Sequence, residues 1–151
     1  MKVYRIALTQ YNDTSGEGAK IYGGRWNLPG SPAIYAGSSI SSSLLERLTI
    51  DPELLSSERY IRYAVMEINI PNELVFSPEL LNLPSDWNHI PPVQASQAYG
   101  IDLLKSGIAC FTVPSVVDSS SLNYVINPIS DKIHLLEFKT YPLELDQRIV
   151  K

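Results

Sequence analysis

A single cysteine among 151 residues rules out an internal disulfide. That cysteine, Cys110, lies in the apolar run Ile108–Val113. It reads as a buried structural thiol rather than a nucleophile. Histidine is also scarce. His89 and His134 are the only two, and no metal-ligand spacing surrounds either. No apolar run is long enough to cross a bilayer. No basic start leads into an apolar segment, so no secretory signal is expected. Positive charge is in deficit, with 12 Lys and Arg against 16 Asp and Glu and a net charge of −4. Broad, salt-dependent nucleic-acid binding needs a basic face, which this balance argues against. One local cationic pocket remains compatible with it. Neither a Walker-type nor a dinucleotide-fold glycine spacing occurs. Repeats, heptads and low-complexity tails are absent too. The expectation is a cytoplasmic protein with no membrane association and no direct nucleic-acid partner.

The chain does have the length of one domain and enough apolar residues, at 44 %, to bury a core. Lys2–Thr9 reads as a short strand. Gln10–Pro32 is rich in Gly, Ser, Asn and Asp and reads as one long loop, a length usually tied to function. Ala33–Gly37 is a short strand candidate. Ser38 and Ser39 are N-cap candidates for a helix whose apolar face is Leu44, Leu45 and Leu48, ended by Asp51-Pro52. Arg59–Ile70 is the clearest strand. Ser77–Leu81 suggests one helical turn with proline first, and Asp86–Pro92 a loop. Ala95–Lys105 suggests a helix closed by Gly107. Ile108–Val113, Leu122–Ile126 and Lys132–Lys139 complete the strands, with a polar loop over Ser115–Ser121. Many strands and few helices predict a mixed α+β, strand-rich single domain over 1–151.

The most informative window is Tyr22-Gly23-Gly24-Arg25-Trp26-Asn27, followed by Tyr35 and Glu46. The glycines permit positive φ or close ligand approach. Arg25 carries a planar donor fork that matches a pyrophosphate, and two adjacent glycines could add backbone amides to an anion nest. Tyr22 and Tyr35 offer faces for a flat ring. Glu46, early in the predicted helix, can hold a ribose hydroxyl and stabilise developing positive charge. These are the parts needed to break the nicotinamide–ribose bond of NAD. Each also has a plainer reading. Gly-Gly commonly marks only a turn, Arg-Trp a surface cation on an indole, Tyr35 a core tyrosine and Glu46 a solvated glutamate.

The order of these residues resembles a known family, the RES-domain toxins of bacterial RES–Xre toxin–antitoxin pairs. The resemblance rests on Tyr4-Arg5, Ser15–Ala19, Gly23–Asn27, Gly30–Ala36, Leu45-Glu46, Val113-Pro114-Ser115 and Asn123–Pro128. It implies a fold related to ADP-ribosyltransferases and an enzyme that consumes NAD. Glu46, Arg25 and Tyr35 would then be catalytic, with Arg25, Tyr22, Tyr35, Ser115 and Asn123 on the substrate. NAD would be substrate, with no further cofactor and no metal. A helix-turn-helix, Xre-like antitoxin covering the site is the implied partner, and a homodimer the assembly expected by analogy. The ADP-ribose acceptor is left open among water, phosphate and a protein. An RNase-type toxin and a non-catalytic binding module are the competing classes. One departure from the family pattern is Ser130, at a place where a histidine is common.

Overall fold

Apolar alternation along each strand sorts the side chains onto two faces of one sheet. The computed structural model describes residues 1–151. Its strands are β1 (Lys2–Leu8), β2 (Ile34–Gly37), β3 (Tyr63–Asn69), β4 (Val75–Phe76), β5 (Cys110–Pro114), β6 (Leu122–Ile126) and β7 (Glu137–Pro142). They form one seven-stranded sheet in the order β4-β5-β6-β2-β1-β3-β7. Only the β4–β5 pair is parallel. One face carries Val3, Ile34, Ala36, Met66, Ile68, Cys110, Tyr124 and Ile126 as a single cluster. Burial there pushes the Cys110 thiol up to about 12, as expected of a structural cysteine.

The residues between them point to the opposite face and divide into two clusters. Phe111, Val113 and Val125 join Trp26 and Ala33 at the β5–β6 side. Ile6, Tyr63 and Val65 join Leu54 and Leu143 at the β1–β3 side. A helix covers each. α2 (Ile40–Leu48) lays Ile40, Leu44 and Leu48 on the second cluster, and α4 (Gln94–Lys105) lays Tyr99, Leu103 and Leu104 on the first. The seam between the two helices lies over β2 and β6, where Gly37 pairs with Asn123 and Tyr35 with Val125. This seam is where the polar residues gather.

Two glycines allow the helices to come this close. A Cβ on Gly37 would sit 2.6 Å from Ser43 Oγ and 2.7 Å from Ser42 Oγ, in the first turn of α2. A Cβ on Gly100 would lie 1.9 Å from the Trp26 carbonyl oxygen. α4 therefore rests on the backbone of the 24–27 loop without an intervening side chain.

Several local expectations need correction. Gln10–Pro32 is not one loop, because Glu17–Tyr22 forms a helix, α1, preceded by a left-handed Gly16 at φ 68°. The strand expected from Arg59 begins only at Tyr63. Ser56 caps a short helix, α3 (Ser57–Tyr60), by accepting the Arg59 amide. Asp51 then holds Arg59 through a 2.7 Å ion pair and also accepts the Tyr63 hydroxyl. The expected turn at Ser77–Leu81 falls at Leu80–Asn82. Lys132–Lys139 is split between a 3-10 turn at Ile133–Leu135 and the start of β7. The turn is set up by Ser130, whose Oγ accepts the Lys132 amide and donates to Gly107 O at 2.9 Å. The serine that departs from the family pattern thus serves as a turn anchor.

The glycine contacts yield paired expectations. Gly100→Ala must displace α4 or the 24–27 backbone, a cost of about 1–3 kcal/mol for such overpacking. Gly18→Ala, in α1 with nothing within 4 Å of its Cβ, should be neutral or stabilise by up to about 1 kcal/mol. Urea midpoints measure both, and a Gly100→Ala midpoint at or above the parent's contradicts the contact.

Candidate active site

Glu46 is the centre of the seam. α2 reaches it from a two-serine capping box, in which Ser39 Oγ accepts the Ser42 amide at 3.0 Å and Ser42 Oγ accepts the Ser39 amide at 3.1 Å. Ser43 Oγ ties the same turn to β1 by donating to Tyr4 O at 2.8 Å. Glu46 is the seventh residue of this nine-residue helix. It thus lies in the last turns rather than early, as the sequence had suggested. Its Oε1 accepts two hydrogen bonds, from Ser115 Oγ at 2.6 Å and Asn123 Nδ2 at 2.7 Å. No protein donor reaches Oε2. Three elements therefore fix one carboxylate oxygen and leave the other free for a ligand.

The polarity of each partner follows from its own contacts. Ser115 is buried just beyond β5, and its Oγ accepts the amides of Val117 and Asp118 at 3.2 and 3.0 Å. With its lone pairs so engaged, the hydroxyl proton is directed at Glu46. Its one proton acceptor is the Glu46 carboxylate and no histidine stands beside it, so this is a positioning hydroxyl. A carboxylate can only accept, so Asn123 must present its amide nitrogen to Glu46. Its Oδ1 is then left buried and without a partner. Such an orphan acceptor costs roughly 1–3 kcal/mol. The fold tolerates that cost to hold the carboxylate in place.

Arg25 enters from the loop after α1. Its Nη1 donates to Trp87 O at 2.9 Å and His89 O at 2.6 Å, which leaves Nε and Nη2 as open donors. Burial lowers its pKa, and the negative charge of Glu46 works against that shift. The guanidinium therefore lies within electrostatic reach of the catalytic candidate without forming an ion pair with it. The anion nest expected from the two glycines is not available. The Gly23 amide donates to Ala19 O, the Gly24 amide to Asn27 O and the Trp26 amide to the Tyr35 hydroxyl. The loop's own closure uses these donors, so any pyrophosphate contact falls to the side chain.

Tyr35 is half-buried against the cluster that includes Trp26 and Val125. Its hydroxyl accepts the Trp26 amide at 3.1 Å and donates to Asn27 Oδ1 at 2.6 Å. Burial pushes its pKa up, well above a free phenol. Tyr22 stands apart. At the end of α1 it is 83 % exposed, and no hydrogen bond ties it to the others. The structure thus brings together Glu46, Ser115 and Asn123, places Arg25 and Tyr35 alongside, and leaves Tyr22 outside.

Four further residues support the site. Asn27, fully buried, donates to Ala19 O at 2.8 Å and Ser31 O at 2.9 Å while its oxygen takes the Tyr35 proton. On α4, Ser96 donates to Arg25 O at 2.8 Å and Gln97 to Gly24 O at 3.1 Å. Trp87 stacks on Trp26 with ring centroids 6.3 Å apart at 22°. Asn27 stood within the glycine–arginine block and could have been read there. Ser96 and Gln97 carry no local signal, because their partners are some seventy residues away. The only local signal for Trp87 is a tryptophan inside a polar, proline-rich loop.

The family model described as "RES domain" matches residues 2–146. The chain is 33 % identical over 158 residues to "Toxin Res" of Photorhabdus laumondii, covering 100 % of this chain and 98 % of that one. It is 37 % identical over 122 residues to "Prs ADP-ribosylating toxin" of a Sphingobium species, covering 78 % of this chain and 73 % of the relative. Among solved structures, the Mycobacterium tuberculosis MbcT–MbcA toxin–antitoxin complex contains a chain of like fold. That match has a TM-score of 0.74 and 21 % identity over 94 % of this chain and 83 % of that one. A family match over nearly the whole length, joined to relatives above 30 % identity, carries one conclusion: this chain belongs to the RES domain family.

Proposed function

We propose that this chain is the toxin of a toxin–antitoxin pair and that it breaks the nicotinamide–ribose bond of NAD. Likeness over 100 % and 85 % of this chain to two proteins named toxins supports the first part. The observation that carries the second is the carboxylate of Glu46, held through one oxygen by Ser115 and Asn123 within reach of the Arg25 charge. Nicotinamide leaves NAD as a neutral ring, taking the bonding electrons, so little acid catalysis is needed. Positive charge develops on the ribose. A fixed carboxylate stabilises it without reorganising at the moment of reaction. Arg25 binds the pyrophosphate through Nε and Nη2. NAD is the substrate, and the chemistry asks for no metal or further cofactor.

Water or phosphate as acceptor depletes NAD. A second reading, transfer of ADP-ribose to a protein, is favoured by the likeness to a relative named an ADP-ribosylating toxin. The experiment that separates them is incubation of the purified chain with NAD, with and without phosphate and cell extract, and identification of products by mass. Free or phosphorylated ADP-ribose supports depletion, and a modified protein supports transfer. RNA incubated in parallel tests the nuclease class. In the cell the partner would be a helix-turn-helix, Xre-like antitoxin seated over the seam.

Glu46→Gln should nearly abolish turnover while NAD still binds. The glutamine oxygen can accept from Ser115 and Asn123 as before, so the fold is retained and only charge is lost. Contacts of this kind are worth roughly 3–4 kcal/mol in the transition state, or a few hundred-fold in kcat. Wild-type NAD loss in a folded Glu46→Gln protein removes the residue from the mechanism.

Arg25→Lys should weaken NAD binding strongly. One lysine nitrogen cannot hold the Trp87 and His89 carbonyls and also present a fork to phosphate. Calorimetric titration reads this directly, and unchanged affinity contradicts the pyrophosphate assignment.

Tyr35→Phe should lower both stability and activity, because it leaves the Trp26 amide and Asn27 Oδ1 without their partner. The expected loss is about 1–3 kcal/mol of stability for each orphaned group. A melting curve equal to the parent's, with full activity, shows instead that the hydroxyl ties nothing down.

A further inference from the structure

Beside the Glu46 cluster lies an open cleft of about 430 Å³. One wall is Trp87 and Asn88, the other Pro114, Ser115 and Val116, and Leu80 stands at its margin. We infer that this cleft is the nicotinamide subsite and that the indole of Trp87 is the face on which the pyridinium ring stacks. The inference rests on the NAD reading above and deepens it by saying where the leaving ring sits.

Trp87 is built as a fixed platform. Its ring is backed by Trp26, which is 2 % exposed and held edge-on by Tyr99 and Phe111 at 6.0 and 6.4 Å. Its carbonyl is held by Arg25. A half-buried indole fixed on both counts presents its remaining surface at no further ordering cost, which is what a ring-binding wall requires. Tyr35 was the candidate for this role from the sequence. Its hydroxyl is tied to the Trp26 amide and Asn27 Oδ1 and its ring does not line this cleft, whereas Trp87 does.

Ser115 fixes which ring of the dinucleotide the cleft takes. It lines the cleft and its hydroxyl donates to Glu46 Oε1. The cleft is therefore one hydrogen bond away from the carboxylate assigned to the ribose. The ring attached to that ribose carbon is nicotinamide, whereas adenine lies across the pyrophosphate. The charge fits as well. The nicotinamide ring of NAD is a cation, and an indole face is the best aromatic partner for one. Asn88 supplies a polar group at the same wall for the carboxamide. Once the glycosidic bond breaks the ring is neutral and this attraction falls, which favours its departure.

Stacking of this kind holds NAD about equally in the ground and transition states, so its loss should raise KM and leave kcat within about twofold. The test uses Trp87→Phe, which keeps an aromatic face, and Trp87→Leu, which keeps bulk on Trp26 without one. Both are assayed for turnover in the wild-type chain. They are also titrated calorimetrically with NAD, NADH and ADP-ribose in the Glu46→Gln background, after melting curves confirm the fold. Trp87→Leu is expected to weaken NAD binding about tenfold or more, as for other base–aromatic stacks, and Trp87→Phe by much less. ADP-ribose affinity should be unchanged in both. Preference for NAD over the uncharged ring of NADH should shrink in the Leu variant.

A parallel loss of ADP-ribose affinity would place adenine in the cleft and overturn the assignment. Equal NAD affinity in the Leu variant and the parent overturns it as well, as does equal weakening by Phe and Leu. Absence of NAD loss and NAD binding in the wild-type chain defeats the underlying reading, and this appears before any Trp87 variant is made.

Discussion

The buried amide of Asn27 is the constraint on which the site depends. Its nitrogen holds the carbonyls of Ala19 and Ser31, and its oxygen takes the Tyr35 proton. Four stretches of chain therefore meet at one side chain: α1, the glycine loop, the segment before β2, and β2 itself. The close packing around it leaves no room for alternatives. A Cβ on Gly24 would lie 2.8 Å from the Tyr35 hydroxyl and 3.0 Å from Asn27 Oδ1. Arg25 sits between Gly24 and Asn27, so its backbone is fixed from both sides. Ser96 and Gln97 of α4 then fix it from above. An arginine on a loop of this composition would ordinarily sample many rotamers. Here the fold has restricted its backbone before a ligand arrives, and less ordering remains to oppose binding.

The second half of the site is arranged on the opposite principle. Glu46 stands on a helix, and its constraint comes through side chains. Ser115 and Asn123 both give their protons to one oxygen, and Asn123 keeps a buried acceptor unsatisfied in doing so. Polar groups left this way inside a fold mark places where function has outweighed stability. The acidic net charge of the chain is consistent with this design. A single arginine in a partly desolvated seam exerts more local potential than a diffuse basic surface, because little water screens it. The same seam keeps Arg25 and Glu46 apart. A direct ion pair would neutralise both groups and leave neither to act on a substrate.

The parts of this arrangement visible in the sequence are those that depend on neighbours along the chain. β6 fell at Leu122–Ile126 as expected, and α4 began one residue earlier than expected. Ser39 was legible as the cap of α2 because a cap is a local hydrogen bond. α1 was hidden because Gly18 within it and Gly16 and Gly23 at its ends argue against a helix, while the contacts that hold it, to the 27–31 segment and the β5–β6 cluster, carry no local signal. The start of β3 was misplaced because Asp51 reaches Arg59 and Tyr63 across a turn that no pattern in Arg59–Ile70 announces. Within the site, Glu46, Arg25, Ser115 and Asn123 were accessible through family resemblance rather than through spacing. Tyr22 was chosen for its ring alone, and exposure cannot be read from residue type.

The division of one sheet face between two helices explains why a site forms at that place. α2 and α4 each cover an apolar cluster, and each ends its coverage where β2 and β6 pair. Between them the sheet presents Gly37, which has no side chain, and Asn123, which is polar. The two apolar clusters leave this seam to the polar groups of Glu46, Ser115 and Asn123. The segment carrying Trp87 and the turn after β5 line an open cleft beside the seam, and Ser115 joins the two through its bond to Glu46. Gly100 lets α4 approach the arginine loop, and Gly37 lets α2 approach the sheet, so the width of the seam is set by two missing side chains. The candidate catalytic groups occupy the gap that the packing of two helices on one sheet leaves open.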